Sequence, residues 1–316
     1  MLKSKGFYKG VNLGGWLSQC DYSKERLDNF ITESDIEKIA SWGLDHVRLP
    51  IDYNVLENSD GTYKADGFER IAKAIAWCRK HNLNIVLDLH KTLGYSFDPG
   101  HNQFGFFDDE ALQERFYRLW EELAKHFGNQ PEHVAFELLN EVTDKSFIDI
   151  WNKISAICIE RIRKFAPTTI ILVGSYYNNS ACAVKDLAAP YDEYVVYNFH
   201  CYDPLKFTHQ GAHWTDQIDP EARISYEEAL ITPQFFDDFF ASAIEKAKLH
   251  NVPLYCGEYG IIDVVSPEDT LKWYKDINSI FEKYHISRSA WSYKEMDFGL
   301  SDARLDEIRE ELLKYL

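Results

Sequence analysis

The sequence predicts an α/β fold, a (β/α)8 TIM barrel formed as a single domain by residues 1–316. Short apolar segments typical of buried strands alternate with longer segments of helical periodicity, and eight strand segments follow one another in this way. The length of 316 residues is somewhat above the roughly 250 residues typical of this fold. No linker-like stretch rich in Ser, Thr or Pro separates a second module.

The predicted strands are short apolar runs, and six of the eight end on polar residues. The fourth, at residues 134–141, has mostly apolar side chains, contains neither Gly nor Pro, and ends on Asn140-Glu141. This pattern is typical of a strand that is buried in a parallel sheet and opens into a site at its carboxyl end. The eight strands are predicted at residues 8–13, 46–49, 85–90, 134–141, 169–174, 195–200, 254–259 and 290–293.

The helices are predicted from apolar residues recurring every three or four positions between the strands. A capping box at Thr32-Glu33-Ser34-Asp35 indicates the start of the first helix. Residues 180–187 show a weaker helical pattern between the fifth and sixth strands. The main helices are predicted at residues 35–41, 68–81, 110–126, 147–164, 234–250, 267–284 and 303–315.

The alternative fold is a doubly wound parallel sheet. That fold normally carries a Gly-rich phosphate loop after its first strand. Residues 10–15 read GVNLGG and lack the GxGxxG spacing. The barrel is therefore the preferred interpretation.

The net charge of −17 comes from 51 acidic and 34 basic residues. Such a field repels nucleic acid and anionic polymers, whereas a neutral ligand is not penalised. The sequence contains no apolar run of about 18 residues, so no membrane-spanning helix is expected. Partners that are nucleic acids or membranes are therefore not predicted.

The six cysteines are scattered without a CxxC pair, which is typical of small buried side chains in a reduced compartment. The first six residues, MLKSKG, carry positive charge but no apolar segment. We expect a cytoplasmic protein, or a secreted one if a signal peptide has been removed.

Polar side chains end six of the predicted strands. In a barrel these carboxyl ends converge on one opening. One such residue would be an ordinary solvated strand end, but six buried strands that end this way indicate a functional site. The residues are Arg48, Asp88, His90, Asn140, Glu141, Asn198, His200, Tyr202, Glu258 and Trp291.

Glu141 and Glu258 are the centre of this set, because a barrel places the ends of its fourth and seventh strands across one opening. Two carboxyl groups about 5–5.5 Å apart suit retaining glycoside hydrolysis, in which one attacks the anomeric carbon and the other transfers protons. The acid must stay protonated, and we expect the neighbouring carboxylate to raise its pKa. Arg48 is a suitable cation to keep the nucleophile ionised.

A metal site is the competing interpretation. His90 and His200 have suitable nitrogen ligands, but Trp291 and Asn140 are poor metal ligands. The sequence has no HExxH motif and no HxH in its first strand. We therefore predict neither a metal nor another cofactor.

The chain closely resembles the bacterial endoglucanases of glycoside hydrolase family 5, and within them a compact clostridial type without a separate carbohydrate-binding module. The resemblance covers nearly the whole chain. The clan usually has Pro after the Asn-Glu pair, where this chain has Val142. The motifs that carry it are GVNLGGWLSQ, ITESDIEKIASWGLDHVRLPIDY, NIVLDLHKTLGYSF, HVAFELLNE, VVYNFHCYDP, THQGAHW, LYCGEYG and WSYKEMDFG.

The resemblance implies a role for each strand-end residue. Glu141 matches the acid/base and Glu258 the nucleophile, while Asn140 matches the amide that binds the 2-hydroxyl of the attacked sugar. Arg48 and Tyr202 match residues that orient the nucleophile. The remaining matches are hydrogen-bonding partners and a stacking platform around the cleaved unit: His90, His200 and Trp291.

The implied activity is retaining, internal hydrolysis of β-1,4 bonds in neutral β-glucans. We expect the protein to be a monomer. Mannan, xyloglucan or a β-1,3-glucan, cleaved internally or from one end, is an alternative with the same mechanism. A non-catalytic glycan-binding barrel is an alternative of a different class.

Two long connections, residues 91–109 and 201–232, are expected to form walls around the opening. They contain four residues that are candidates for contacts with more distant sugars. The alternative is that these four side chains only pack within the loops. Outside the loops, Trp16 is expected in the core and Glu137 in a structural role, while Lys294-Glu295 is undecided. The loop candidates are His101, His209, His213 and Trp214.

Overall fold

The computed structural model describes residues 2–98, 104–215 and 217–316. Eight parallel strands form a closed barrel in chain order, with the last strand paired to the first. The predicted (β/α)8 fold is therefore confirmed. The strands are β1 Lys9–Asn12, β2 His46–Asp52, β3 Asn84–Lys91, β4 Val134–Glu137, β5 Ile171–Val173, β6 Val195–Cys201, β7 Leu254–Tyr259 and β8 Ser287–Ala290.

The helices surround the barrel and bury one face each against the strands. The predicted capping box is present, with the Asp35 carboxylate accepting from the Thr32 backbone N–H at 2.8 Å. Thr232 and Ser266 cap two later helices that begin with proline. The helices are Lys24–Asn29, Glu33–Ser41, Tyr53–Leu56, Ala65–Lys80, Glu110–Phe127, Ile148–Arg163, Leu205–Thr208, Pro233–His250, Pro267–Tyr284 and Arg309–Leu312.

The core has two layers, which follow from the alternation of side chains along each strand. Ile85 and Leu87 of β3 pack in the large layer between strands and helices, whereas Val86 between them belongs to a separate small cluster. This small cluster fills the barrel interior near the amino ends of the strands, and we call it the lower plug. Its members are Leu2, Phe7, Val86, Ala135, Ile170, Leu172, Val196 and Tyr255.

The fourth and the eighth predicted strands differ most from the observed ones. β4 ends at Glu137, so Asn140 and Glu141 lie in the loop beyond it, although Asn140 N–H still bonds Leu89 O at 3.2 Å. β8 is Ser287–Ala290 rather than residues 290–293. Its polar residues do not resemble a buried strand in the sequence, but tertiary partners bury them in the fold. Arg288, for example, pairs with Glu282 at 2.8 Å.

The carboxyl-terminal helix predicted at residues 303–315 is instead three short pieces. These are Ala303–Leu305, Arg309–Leu312 and Leu313–Tyr315, of which only the second is α-helical. The weak candidate at residues 180–187 is a 3-10 helix, Ala181–Asp186. Within the described residues, none of the helices has the length and apolar character needed to cross a membrane.

Candidate active site

A cavity of about 910 Å³ opens at the carboxyl ends of the strands. Six of the eight predicted site residues line it, and the other two, Arg48 and Asn140, are buried beside them. The structure thus brings the whole predicted set together. The six that line the cavity are His90, Glu141, His200, Tyr202, Glu258 and Trp291.

Glu258 is held from both sides at the end of β7. One carboxylate oxygen accepts from the Arg48 guanidinium at 2.8 Å, and the other accepts from the Tyr202 hydroxyl at 2.8 Å. Burial and the adjacent Glu258 charge raise the pKa of Tyr202 well above its ordinary value, so the phenol keeps its proton and donates. Gly257 is required at the preceding position, since a Cβ there would lie 2.8 Å from Asn198 Oδ1.

Arg48 is fully buried and organises the floor of the cavity. Its Nε and Nη2 donate to the two oxygens of Glu137 at 2.7 and 2.8 Å, while Nη2 also lies 3.0 Å from Asp88. Glu137 is thus beneath the cavity in a structural role, as expected. A buried cation is tolerated only when it is paired and hydrogen-bonded in this way.

Asp88 is the second buried carboxyl in this floor. Burial is the main cause that raises its pKa to about 7, against the lowering effect of Arg48. Below that pH the Asp88 carboxyl is protonated, which reduces the number of buried negative charges around Arg48. Asp88 also bonds His90 Nδ1 at 2.6 Å and so orients that ring.

Glu141 is bonded through both oxygens on the opposite side of the cavity. Oε1 lies 2.8 Å from His200 Nδ1, and Oε2 accepts from Asn178 Nδ2 at 2.8 Å. Its backbone carbonyl accepts from the Tyr95 hydroxyl at 2.9 Å. Burial raises the pKa of Glu141 to about 7. The expected upward shift is present, but burial rather than the second carboxylate is its leading cause.

The two glutamates face each other across the opening. A carboxylate oxygen of Glu141, one of Glu258 and a ring nitrogen of His200 all lie within 4.8 Å of one another. This spacing matches the two-carboxyl geometry of retaining glycosidases. A cation could also be held at such distances. However, each of the four carboxyl oxygens already has a hydrogen-bonding partner in the protein.

Two buried polar atoms near the glutamates have no hydrogen-bond partner among the described residues. Asn140 Oδ1 accepts from Arg48 at 2.6 Å, which leaves its Nδ2 without an acceptor. His200 Nε2 is likewise unpartnered in the described part of the chain. Because buried polar groups are usually satisfied, both atoms are candidates for bonds to a bound ligand.

His90 and Trp291 form the opposite wall. Their rings stack with centroids 5.8 Å apart and planes inclined by 5°. Burial lowers the pKa of His90 to about 4, and that of His200 also to about 4, so both rings are neutral near pH 7. A side chain at position 14 would lie 2.9 Å from the Trp291 ring, so Gly14 is needed there.

Several residues of the site were not found from the sequence. Asn178 lies in a segment whose left-handed backbone residues, Tyr177, Asn178 and Asn179, have φ of 52°, 52° and 60°. Gln19 is also left-handed, at φ 51°, and its Oε1 lies 3.2 Å from His90 Nε2. The Asn-Asn pair after β5 is a weak signal, since Asn tolerates this conformation better than most residues.

The loop candidates divide into two groups. His209, His213 and Trp214 line the cavity, and Trp214, which is 41% exposed, lies on its rim. His101 lies outside the described residues. Trp16 is buried and its indole donates to Leu27 O at 2.9 Å, which places it in the core as expected.

The Lys294-Glu295 pair does not line the cavity. Lys294 pairs with Asp35 at 3.2 Å, and Glu295 pairs with Arg26 at 3.1 Å. Both side chains therefore tie the loop after β8 to the first helices of the chain. Their role is structural.

Comparison with known proteins identifies the family of this chain. A family model described as cellulase (glycosyl hydrolase family 5) matches residues 6–297. The chain is 59% identical to Cellodextrinase A of Ruminococcus flavefaciens, over 91% of this chain and 86% of that protein. It is 38% identical to Endoglucanase C of Acetivibrio thermocellus, over 98% of both chains. The family resemblance inferred from the motifs is confirmed.

Solved structures show the same fold. A structure titled endoglucanase superposes with a TM-score of 0.85 at 22% identity, covering 99% of each chain. Endoglucanase Cel5A of the hyperthermophilic Thermotoga maritima superposes with a TM-score of 0.83 at 25% identity, covering 99% of this chain and 97% of that one.

Proposed function

The chain belongs to glycosyl hydrolase family 5, the cellulase family, and from this premise we propose that it is a retaining endo-β-1,4-glucanase acting on neutral β-glucans. The observation that carries the proposal is the opposed pair of carboxyl groups, with oxygens of Glu141 and Glu258 within 4.8 Å. That spacing leaves room for a sugar carbon but not for a separate attacking water.

In the first step Glu258 attacks the anomeric carbon and displaces the glycosidic oxygen. Glu141 gives its proton to that oxygen, so the leaving sugar departs as an alcohol and a glycosyl ester forms on Glu258. In the second step Glu141, now ionised, takes a proton from water. The water oxygen attacks the same carbon, and Glu258 is released as a carboxylate.

The surroundings of the two carboxyls suit these opposite roles. Arg48 and Tyr202 each donate a hydrogen bond to one carboxylate oxygen of Glu258, and these bonds hold the carboxylate in position for attack. Burial raises the pKa of Glu141 to about 7, so it retains a proton at near-neutral pH and can also release one. This division of environments is the usual basis for separating an acid from a nucleophile.

The groups around the pair support binding of a neutral sugar. The unpartnered Asn140 Nδ2 is the donor proposed for the 2-hydroxyl, and the neutral His90 and His200 rings are proposed partners for other hydroxyls. The Trp291 ring is proposed as the stacking platform of the cleaved unit, because apolar sugar faces pack well on indole. The net charge of −17 disfavours an acidic polymer.

A second candidate is preferential cleavage of short, soluble cello-oligosaccharides. It is favoured by the 59% identity to a protein named Cellodextrinase A. An alternative is the same mechanism on mannan, xyloglucan or a β-1,3-glucan, or cleavage from one chain end. The shape of the loops decides between these substrates and modes of cleavage. A non-catalytic glycan-binding barrel is disfavoured, because sugar binding alone would not need two opposed carboxyl groups with different surroundings.

We also propose that the protein acts as a monomer in a reduced compartment, without nucleic-acid or membrane partners. The cysteines support the compartment: all six lie in described residues and none forms a disulfide. The acidic charge supports the absence of nucleic-acid binding.

A product-length profile tests the proposal. Barley β-glucan, carboxymethylcellulose, laminarin, mannan and cellopentaose would be digested in parallel, with viscosity and reducing sugar followed together. We expect β-glucan viscosity to fall before much reducing sugar appears, and anionic carboxymethylcellulose to be cleaved more slowly. Glucose as the first and only product with viscosity unchanged would show cleavage from a chain end instead. Activity on cellopentaose but hardly on polymer would favour the second candidate.

A further inference from the structure

The segment after β5 has an unusual backbone beside the acid/base. Tyr177, Asn178 and Asn179 are consecutive residues with positive φ, a conformation disfavoured for side chains with a Cβ. Such strained segments persist only where surrounding contacts hold them, and they are concentrated at functional sites.

Two hydrogen bonds attach this segment to the backbone of the loop that carries Glu141, and a third closes the segment on itself. Asn178 N–H donates to Val142 O at 3.0 Å, and Asn179 Nδ2 donates to Asn140 O at 3.3 Å. Asn179 Oδ1 in turn accepts from Ser175 N–H at 2.9 Å. The segment is therefore hydrogen-bonded to the backbone on both sides of Glu141.

The side chain of Asn178 reaches the Glu141 carboxyl itself. Its Nδ2 lies 2.8 Å from Oε2, while His200 Nδ1 lies 2.8 Å from Oε1. An amide nitrogen can only donate, so Asn178 supports the carboxylate whenever it is ionised. The carboxyl plane is thus fixed by one contact on each oxygen.

We propose that Asn178 is a positioning residue for Glu141, which orients its carboxyl group for both steps of the reaction. This inference rests on the proposed function, since it assumes that Glu141 is the acid/base. Asn178 thus influences the reaction through its contact with Glu141 and not by binding the substrate.

The proton affinity follows from opposing influences on Glu141. Burial favours the neutral form, whereas the Asn178 hydrogen bond favours the ionised form and lowers the pKa. Without Asn178 the pKa of Glu141 should rise, the acid should stay protonated to higher pH, and the ionised base of the second step should be scarcer. The charged or titratable groups that face Glu141 from the neighbouring elements are Arg48, Asp88, Tyr95, Asp98, His200, Tyr202 and Glu258.

The variants are chosen to separate the side chain from the backbone. Asn178→Gly removes the amide but accepts the left-handed conformation, and Asn178→Asp keeps the size and replaces the donor with a second carboxylate. Asn251→Gly is the matched control, because Asn251 also has a positive φ of 53° but caps a helix outside the cavity.

The measurement is the pH profile of kcat/KM on cellotetraose and on a dinitrophenyl cellobioside. For cellotetraose we expect the alkaline limb to move up by about 0.5–1 pH unit in Asn178→Gly and further in Asn178→Asp. The aryl substrate has a leaving group that needs no acid, so its kcat/KM should change less than about threefold. Asn251→Gly should match the wild type on both substrates.

An unmoved alkaline limb in both Asn178 variants would overturn the inference, as would equal losses on both substrates. If Asn178→Gly is not folded, Asn178→Asp alone decides, since its size and backbone preference are preserved. The proposed function is judged separately by Glu141→Gln. A Glu141→Gln enzyme that still hydrolyses cellotetraose would remove the premise, whereas an inactive one with no Asn178 effect would remove only this inference.

Discussion

The interior of the barrel differs sharply between its two ends, although the same strands build both. Near the amino ends, the lower plug is an apolar cluster of eight buried residues. Near the carboxyl ends, the inward positions carry charged and amide side chains. On β3 the change occurs from Val86 to Asp88, and on β6 from Val196 to Asn198. Two residues of strand separate a hydrophobic core from an active site.

This contrast shows that one end of the barrel mainly stabilises the fold, whereas the other end carries the active site. The apolar end gains free energy by removing side chains from water. The polar end must compensate for burying Arg48, Glu137 and Asp88, which it does by pairing them with one another. The remaining unsatisfied donors, such as Asn140 Nδ2, are tolerated at the end where a ligand enters.

The largest expected effect comes from the nucleophile at the polar end. Glu258→Gln should reduce turnover of both polysaccharide and aryl substrates by on the order of 10⁴-fold or more, because no covalent intermediate can form. Steady-state kinetics would measure it, with exposed Glu132→Gln as a control. A 2-fluoro glycoside should label Glu258 in the wild type, and labelling of another residue would refute the assignment.

Glu141→Gln should have a substrate-dependent effect. Hydrolysis of β-glucan should fall by about 10²–10⁴-fold, while formation of the intermediate from an aryl glycoside should change much less. In the wild type, kcat/KM on β-glucan should decline as pH rises through about 7, because Glu141 then loses the proton that it must donate. Pre-steady-state kinetics on both substrates would check this, and equal losses would argue against the acid role.

Arg48→Ala tests whether the polar end depends on its buried cation. The substitution leaves Glu137, Asp88 and Glu258 without their shared partner. We expect a loss of about 3–5 kcal/mol in the free energy of unfolding, together with a large loss of kcat. Denaturant unfolding and kinetics would measure both. A stable, fully active Arg48→Ala enzyme would contradict the proposed organisation of the floor.

Leu172→Ala is the matching change in the lower plug. Leu172 is 1% exposed, so its truncation should lower the free energy of unfolding by about 2–5 kcal/mol. At a temperature where the variant is folded, kcat/KM should stay within about twofold of the wild type, since no catalytic contact is removed. An activity loss comparable to that of Arg48→Ala would show that the two ends are not separable.

The smallest expected effect is that of a chelator. Both oxygens of Glu141 and of Glu258 already have hydrogen-bonding partners in the protein, so an ion would have to displace these contacts. Activity and melting temperature should be unchanged in EDTA. Loss of activity that a divalent ion restores would revive a metal role for the Glu141, His200 and Glu258 group.

Much of the site could be predicted because it depends on strand ends. Parallel strands in a barrel converge at their carboxyl ends, so a polar residue there has a defined location before any coordinates are known. The prediction was weaker where tertiary partners override local pattern. β8 was misplaced because Ser287, Arg288 and Ser289 read as polar, yet all three are buried.

Strand periodicity and motif order can be read along the chain, so they were enough to predict the barrel, the family and the set of residues that meet at its mouth. The ionisation of Glu141 could not be predicted in this way, since its pKa depends mainly on burial in the folded protein. The tertiary structure decided that ionisation, and it also decided that Asn178 contacts Glu141, through a left-handed segment held by bonds to the preceding loop. Desolvation and such long-range contacts arise only when the chain is folded, so periodicity cannot reveal them.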